Sequence, residues 1–326
     1  MQFKIDGKHL IIYDDGGRKI GHYLFDFDAI QGGAWPSYFF PAGLPSAIRD
    51  LDGDGDAELL VAITPAEGIG DANRLYCFDR RGNRLWDYQP AWALRYGSKE
   101  YAPPYSVDFF RLILESNAKT MIWVAAHQIP EFPSVLAKLD TRGKVLGTYW
   151  HAGHLGAIAE ARIAGRRVIL LGSTNNEYLS ASLSVLDYEN PTGFSPAVRD
   201  DYRCGNCPPG TPIRYIVFPR SELSRQLGAR EMLREIRVRP SGEIELTIST
   251  ESNLTKENPA QTFVLDSNFH LRRIDFVDGY VKAHNELQAS QLVDHRVNLK
   301  REAEALKPIL YWDGSRFAPM RKKRGP

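Results

Sequence analysis

The chain has 326 residues, 43% hydrophobic and 25% charged, with a formal net charge of +1. This is an ordinary globular composition, long enough for one large all-β domain or two medium ones. The balanced charge sets up no global field pointing to nucleic acid or an anionic membrane, and no apolar run is long enough to span a bilayer.

Met1 to Lys8 contain no apolar core of the secretory kind, so the sequence as written starts without a signal peptide. It reads as a cytoplasmic protein or as a piece of a longer one. The first predicted element is a hairpin, Leu10 to Ile20, turning at Asp14 to Gly17. Asp starts such a turn through its side chain, and Gly supplies the positive φ. The pattern returns at Asp79 to Gly82, between Leu75 and Trp86, and at Asp140 to Gly143, between Leu136 and Leu146. Degenerate copies follow at Asp187, Asp266 and Asp313.

Between the hairpins lie further strand pairs: Ile48 to Ile63, Phe109 to Ala126, Ile158 to Gly172 and Ile236 to Thr250. Each unit offers about four strands, the content of one β-propeller blade. The sequence therefore predicts an all-β fold, a single propeller domain over 1–326 with five or six four-stranded blades. The N-terminal hairpin is expected to complete a blade with C-terminal strands, since closure removes exposed edges.

The first strand pair contains the most distinctive segment, Asp50-Leu51-Asp52-Gly53-Asp54-Gly55-Asp56-Ala57-Glu58, which runs directly into Leu59 to Ile63. Five carboxylates this close repel one another, with Arg49 as the local counter-charge. A hard divalent cation relieves that repulsion, and calcium takes six to eight oxygen ligands from such loops. The spacing assigns Asp50, Asp52 and Asp54 as ligands, the backbone carbonyl of Asp56 as a fourth, and Glu58 to close the shell. Gly55 permits the sharp turn.

Further along, Gly68 to Asn73 begins like a dinucleotide loop but lacks the third Gly and a helix, and reads as a plain loop. Trp92 to Tyr105, rich in Tyr and Pro, is an insertion whose aromatics either stack on sugars or partners or cover one end of the fold. His151 and His154 would bind a transition metal if His127 or His284 approached; otherwise they hydrogen-bond loop carbonyls. Cys77 reads as a small buried residue in a strand. Cys204 and Cys207 form half a zinc motif with no second half, leaving a local disulfide or two free thiols. Asn285 to Lys307 reads as one helix, with Leu292, Leu299, Ala303 and Leu306 on one face and Pro308 ending it. Arg321 to Pro326 form a short basic tail, read as a solvated terminus.

Asp50 to Ile63 resembles the calcium-binding signature of FG-GAP/VCBS-type β-propeller repeats. The resemblance implies a propeller, a bound Ca2+ held by Asp50, Asp52, Asp54, Asp56 and Glu58, and an extracytoplasmic setting. It covers one loop in one blade; the turn Glu115 to Ala118 has no such ladder of acids. Leu75 to Trp86 also resembles the hairpin of quinoprotein-type blades, which supports the architecture and not the cofactor.

No G-x-S-x-G, H-E-x-x-H or Walker A motif occurs. The function expected from the sequence is a calcium-stabilised binding or scaffold domain, monomeric, for a protein or carbohydrate ligand. The alternative is a carbohydrate-active enzyme, a lyase or hydrolase, with its site at the propeller mouth.

Overall fold

The computed structural model describes residues 1–31, 46–66, 74–115, 119–129, 132–251 and 259–320. The Gly68 to Asn73 loop, the Ser116 to Ala118 turn and the basic tail lie outside these residues.

The chain is all-β, with three short α-helices among the described residues. Its sheets are antiparallel and built largely from strands consecutive in sequence, the up-and-down pattern of propeller blades. It separates into two compact units, Met1–His151 with Gly205–Pro208, and Ala152–Cys204 with Pro209–Pro326.

In the first unit, Gln2–Asp6, His9–Tyr13 and Lys19–Leu24 form a three-stranded sheet. A second sheet runs Glu58–Pro65, Arg74–Phe78, Arg84–Tyr88, with Ala29–Gln31 and Ser46–Arg49 both pairing with Glu58–Pro65. A third begins Tyr105–Leu114, Thr120–Gln128, Pro133–Leu139, Val145–Ala152. Leu10, Ile12, Phe25, Val61, Ile63, Tyr76 and Phe78 form one core between the first two sheets.

In the second unit, Leu155–Ile163, Arg166–Asn175, Ser180–Asp187 and Arg214–Val217 form a sheet that is extended by Leu310–Trp312 and Phe317–Pro319. A four-stranded meander runs Arg230–Val238, Ile244–Glu251, Ala260–Leu265, Leu271–Phe276. Glycine lets these two sheets approach closely. A Cβ on Gly156 would lie 2.5 Å from the Leu233 carbonyl oxygen, and one on Gly172 would lie 2.4 Å from a Leu233 methyl.

The four predicted strand pairs form, whereas the strand ending at Asp187 pairs with Arg214–Val217 and not with the segment at Gly193. Four of the Asp turns share one geometry. Asp14, Asp79, Asp140 and Asp266 each accept, on Oδ1, the backbone N–H groups two and four residues on. Gly17, Gly82 and Gly143 then take positive φ. In the degenerate copy at Asp266, Phe269 occupies that position with φ +66°.

Two further expectations are corrected. Among the described residues the N-terminal strands form a three-stranded sheet of their own. Leu310 and Tyr311 instead pair with Val217 and Ile216, which offered a free edge inside the second unit. The C-terminal helix is also two helices. Helix α1 is Glu222–Gln226, α2 is Asp278–Ala289 and α3 is Leu299–Ala305. Between α2 and α3 the chain leaves helical geometry at Gln291, φ +59°. It re-enters at Asn298, whose side chain accepts the Arg301 N–H. Leu292 is consequently 57% exposed and does not share a buried face with Leu306.

Candidate functional site

The Asp50–Glu58 loop joins two paired strands, Ser46–Arg49 and Glu58–Pro65. Asp50 anchors it: Oδ1 accepts the Gly53 N–H at 2.7 Å and Oδ2 the Gly55 N–H at 3.0 Å. Both glycines take positive φ, which turns the N–H groups inward. Glu58 begins the strand and is only 7% exposed. It accepts the Leu51 N–H at 2.8 Å. Burial pushes the Glu58 pKa up; the Leu51 bond pulls it down, and the carboxylates of Asp52, Asp54 and Asp50 push it up again.

One carboxylate oxygen each from Asp50, Asp52 and Glu58 lies within 4.8 Å of the others. Thus three of the five residues predicted as ligands converge. The Asp54 side chain accepts the Asp56 N–H at 2.7 Å. The Asp56 side chain pairs with Arg80 at 2.6 Å, leaving its carbonyl as the group assigned to a cation. The converged oxygens are hard donors in a glycine-turned loop, and they fit a calcium ion better than a softer metal.

The condition set for a histidine metal site is not met. Among the described residues, neither His151, His154 nor His127 belongs to a set of three converging metal-ligand atoms. His127 instead meets Asp108 at 2.6 Å, both buried. Asp108 lies where the pairing register shifts, between Val107 and Phe109, which turns it inward. Burial pushes the Asp108 pKa up against the opposing pull of His127.

A different set converges in the second unit: Glu222 at the start of α1, His284 on α2, and His295 in the α2–α3 connection. Of these, the sequence singled out only His284. Glu222 and His295 carry no local spacing signal, because three separated segments bring them together.

The Trp92 to Tyr105 insertion contains a ribbon, Leu94–Tyr96 against Lys99–Tyr101. Tyr96, Tyr101 and Tyr105 are buried, and only Trp92, at 52% exposure, presents an aromatic face. The insertion is therefore mainly covering structure. Asn206 ties the neighbouring chain to it, donating to the Ala93 carbonyl and accepting from the Arg95 N–H. Cys204 and Cys207 are disulfide-bonded, which resolves that alternative, and Cys77 is a buried free thiol. Among the described residues, no helix is long and apolar enough to cross a membrane.

No family model matches the chain, and no curated protein does. The FG-GAP/VCBS likeness therefore rests on the Asp50 to Ile63 segment alone. Among solved structures, a GH43 β-1,3-galactosidase solved with galactodeoxynojirimycin is similar at TM-score 0.37 and 10% identity. The match covers 82% of this chain and 79% of that one. So slight a likeness carries over no activity.

Proposed function

We propose that the chain is a calcium-stabilised β-protein of the propeller type, acting as a binding or scaffold domain for a glycan or protein ligand. The observation that supports it is the convergence of Asp50, Asp52 and Glu58 around one point, with Glu58 buried and negatively surrounded. Asp54 and the Asp56 carbonyl are the remaining donors in this reading. A bound calcium ion would neutralise the cluster and fasten the loop to the strand that begins at Glu58. The FG-GAP/VCBS likeness and an extracytoplasmic setting, where calcium is abundant, belong to the same reading.

The test is calorimetric titration of calcium into chelator-treated protein, with thermal unfolding in calcium and in EDTA. Saturable binding and a higher melting temperature in calcium are expected, both lost in an Asp52→Asn, Asp54→Asn double variant. An unchanged melting temperature in EDTA, with the double variant behaving as the parent, would refute the assignment.

The second reading, a carbohydrate-active enzyme, requires two acid/base groups facing an open cleft. Asp108 and His127 form such a pair chemically, but both are buried. Glycan binding without turnover of glycoside substrates supports the binding domain; turnover supports the enzyme.

A further inference from the structure

We propose that Glu222, His284 and His295 form a binding site for a divalent transition-metal ion of the zinc class, with one coordination position open to water or a small ligand. The three residues each offer a ligand atom, and these atoms lie within 4.8 Å of one another. Tetrahedral zinc, with bonds of about 2.0–2.1 Å, holds its ligand atoms roughly 3.3–3.5 Å apart. The contact of His295 Nε2 with the Glu222 carboxylate is already 3.2 Å.

His284 is the independent observation. It is 1% exposed, and neither ring nitrogen has a hydrogen-bond partner among the described residues. A buried imidazole normally satisfies at least one nitrogen. Here the ring sits 5.3 Å from the His295 ring, centroid to centroid, beside Glu222. A metal ion would satisfy it.

The surroundings suit a cation and a fixed geometry. The other ring nitrogen of His295, Nδ1, meets Asp294 at 3.0 Å. A carboxylate on the remote nitrogen orients a ligating histidine and raises its basicity. The Glu222 N–H donates to Glu302 at 2.6 Å, and Glu302 also accepts the Tyr280 hydroxyl at 2.8 Å. This places α1, α2 and α3 around one point. Beneath it, Leu223, Tyr280, Ala283, Leu287 and Val293 form a small core. His284 closes the buried side, while Glu222 and His295 are partly exposed and leave the fourth position facing solvent.

Two imidazoles and one carboxylate select zinc-class ions over calcium, which takes oxygen donors. The site is thus chemically distinct from the acidic loop of the first unit.

The experiment uses the full chain, stripped of metal by chelation and then saturated with calcium, titrated with zinc chloride by calorimetry. One equivalent is expected to bind, with a rise in melting temperature. His295→Gln and Glu222→Gln, both at partly exposed positions, are each expected to weaken zinc binding more than tenfold. Asp294→Asn is expected to weaken it about tenfold, as an orienting carboxylate does. His9 and His22 stack and meet at 2.8 Å, so His9→Ala serves as the control and is expected to leave the affinity unchanged. The proposal is overturned if the parent chain takes up no zinc. It is equally overturned if folded His295→Gln and Glu222→Gln bind as the parent does, or if His9→Ala abolishes uptake.

Discussion

The indole of Trp86 lies against Gly143, at the turn of the next hairpin along the chain. Its Nε1 donates to the Thr141 carbonyl at 2.9 Å. A Cβ at residue 143 would stand 2.7 Å from the ring. The position also requires φ +76°, which glycine adopts without strain. Gly143→Ala combines both penalties, and is expected to destabilise the protein by about 1–3 kcal/mol. Trp86→Phe keeps most of the ring and loses the hydrogen bond, a change of about 1 kcal/mol. Urea midpoints for the two variants check the order: Gly143→Ala should unfold first.

The acidic loop predicts an unequal response among five similar carboxylates. On the calcium reading proposed above, Glu58→Gln and Asp52→Asn should remove most of the calcium-dependent stabilisation, which would be about 2.7 kcal/mol at a calcium concentration one hundred times Kd. Asp56→Asn should leave it nearly intact, because that side chain is engaged by Arg80. Melting curves of each variant with and without EDTA read the difference directly. A variant series in which Asp56→Asn matches Glu58→Gln contradicts this geometry.

The repeating Asp turns were readable from sequence because they are local. One carboxylate accepts two N–H groups within four residues, so the motif marks each turn wherever it falls. The strand pairs flanking the turns followed from the same logic, except at Asp187, whose strand takes Arg214–Val217 as its partner. What failed was non-local. Nothing in Leu310 or Tyr311 says that their partners are Val217 and Ile216. The break between α2 and α3 was masked by helix-forming composition, although Asn298 carries a clear capping signal. The Asp50, Asp52 and Glu58 group was legible because loop spacing alone assembles it. Glu222, His284 and His295 were not legible as a group, since the fold of three helices brings them together.

Glu231 makes stability depend on pH in a direction opposite to that of most carboxylates. Its Oε1 accepts from the Ser221 N–H at 3.1 Å and the Gln261 amide at 3.0 Å, while Oε2 is buried without a hydrogen-bond partner among the described residues. Burial pushes its pKa above the ordinary 4.5; the Ser221 and Gln261 bonds and the Arg220 charge oppose this in part. The folded state therefore holds this proton at a pH where the unfolded chain has released it. Below the ordinary value both states are protonated and the group contributes no slope. As pH rises from there through the folded pKa, stability falls. Glu231→Gln keeps the shape and removes the titration. Its stability relative to the parent should improve steadily from pH 4.5 upward, measured as urea midpoints across the range. A constant difference would mean that Glu231 is ionised in the folded protein throughout.

Asp108 and His127 should show how a buried polar pair differs from its parts. The 2.6 Å contact is buried on both sides, and Asp108 Oδ2 has no hydrogen-bond partner among the described residues. The Asp108 carboxyl carries a burial penalty that His127 offsets. His127→Ala removes that compensation and opens space in a strand buried throughout. Loss of one member of such a pair costs about 3–5 kcal/mol. Asp108→Asn retains a neutral group able to hydrogen-bond, so it should cost less than His127→Ala. An Asp108→Leu, His127→Leu double variant removes both polar groups together. It should lie well above His127→Ala in stability and close to the parent, because no unpaired buried charge remains. Denaturation midpoints for the three variants decide this. If the double variant is as unstable as His127→Ala, the pair itself contributes net stability, and its retention needs no appeal to the burial of Asp108.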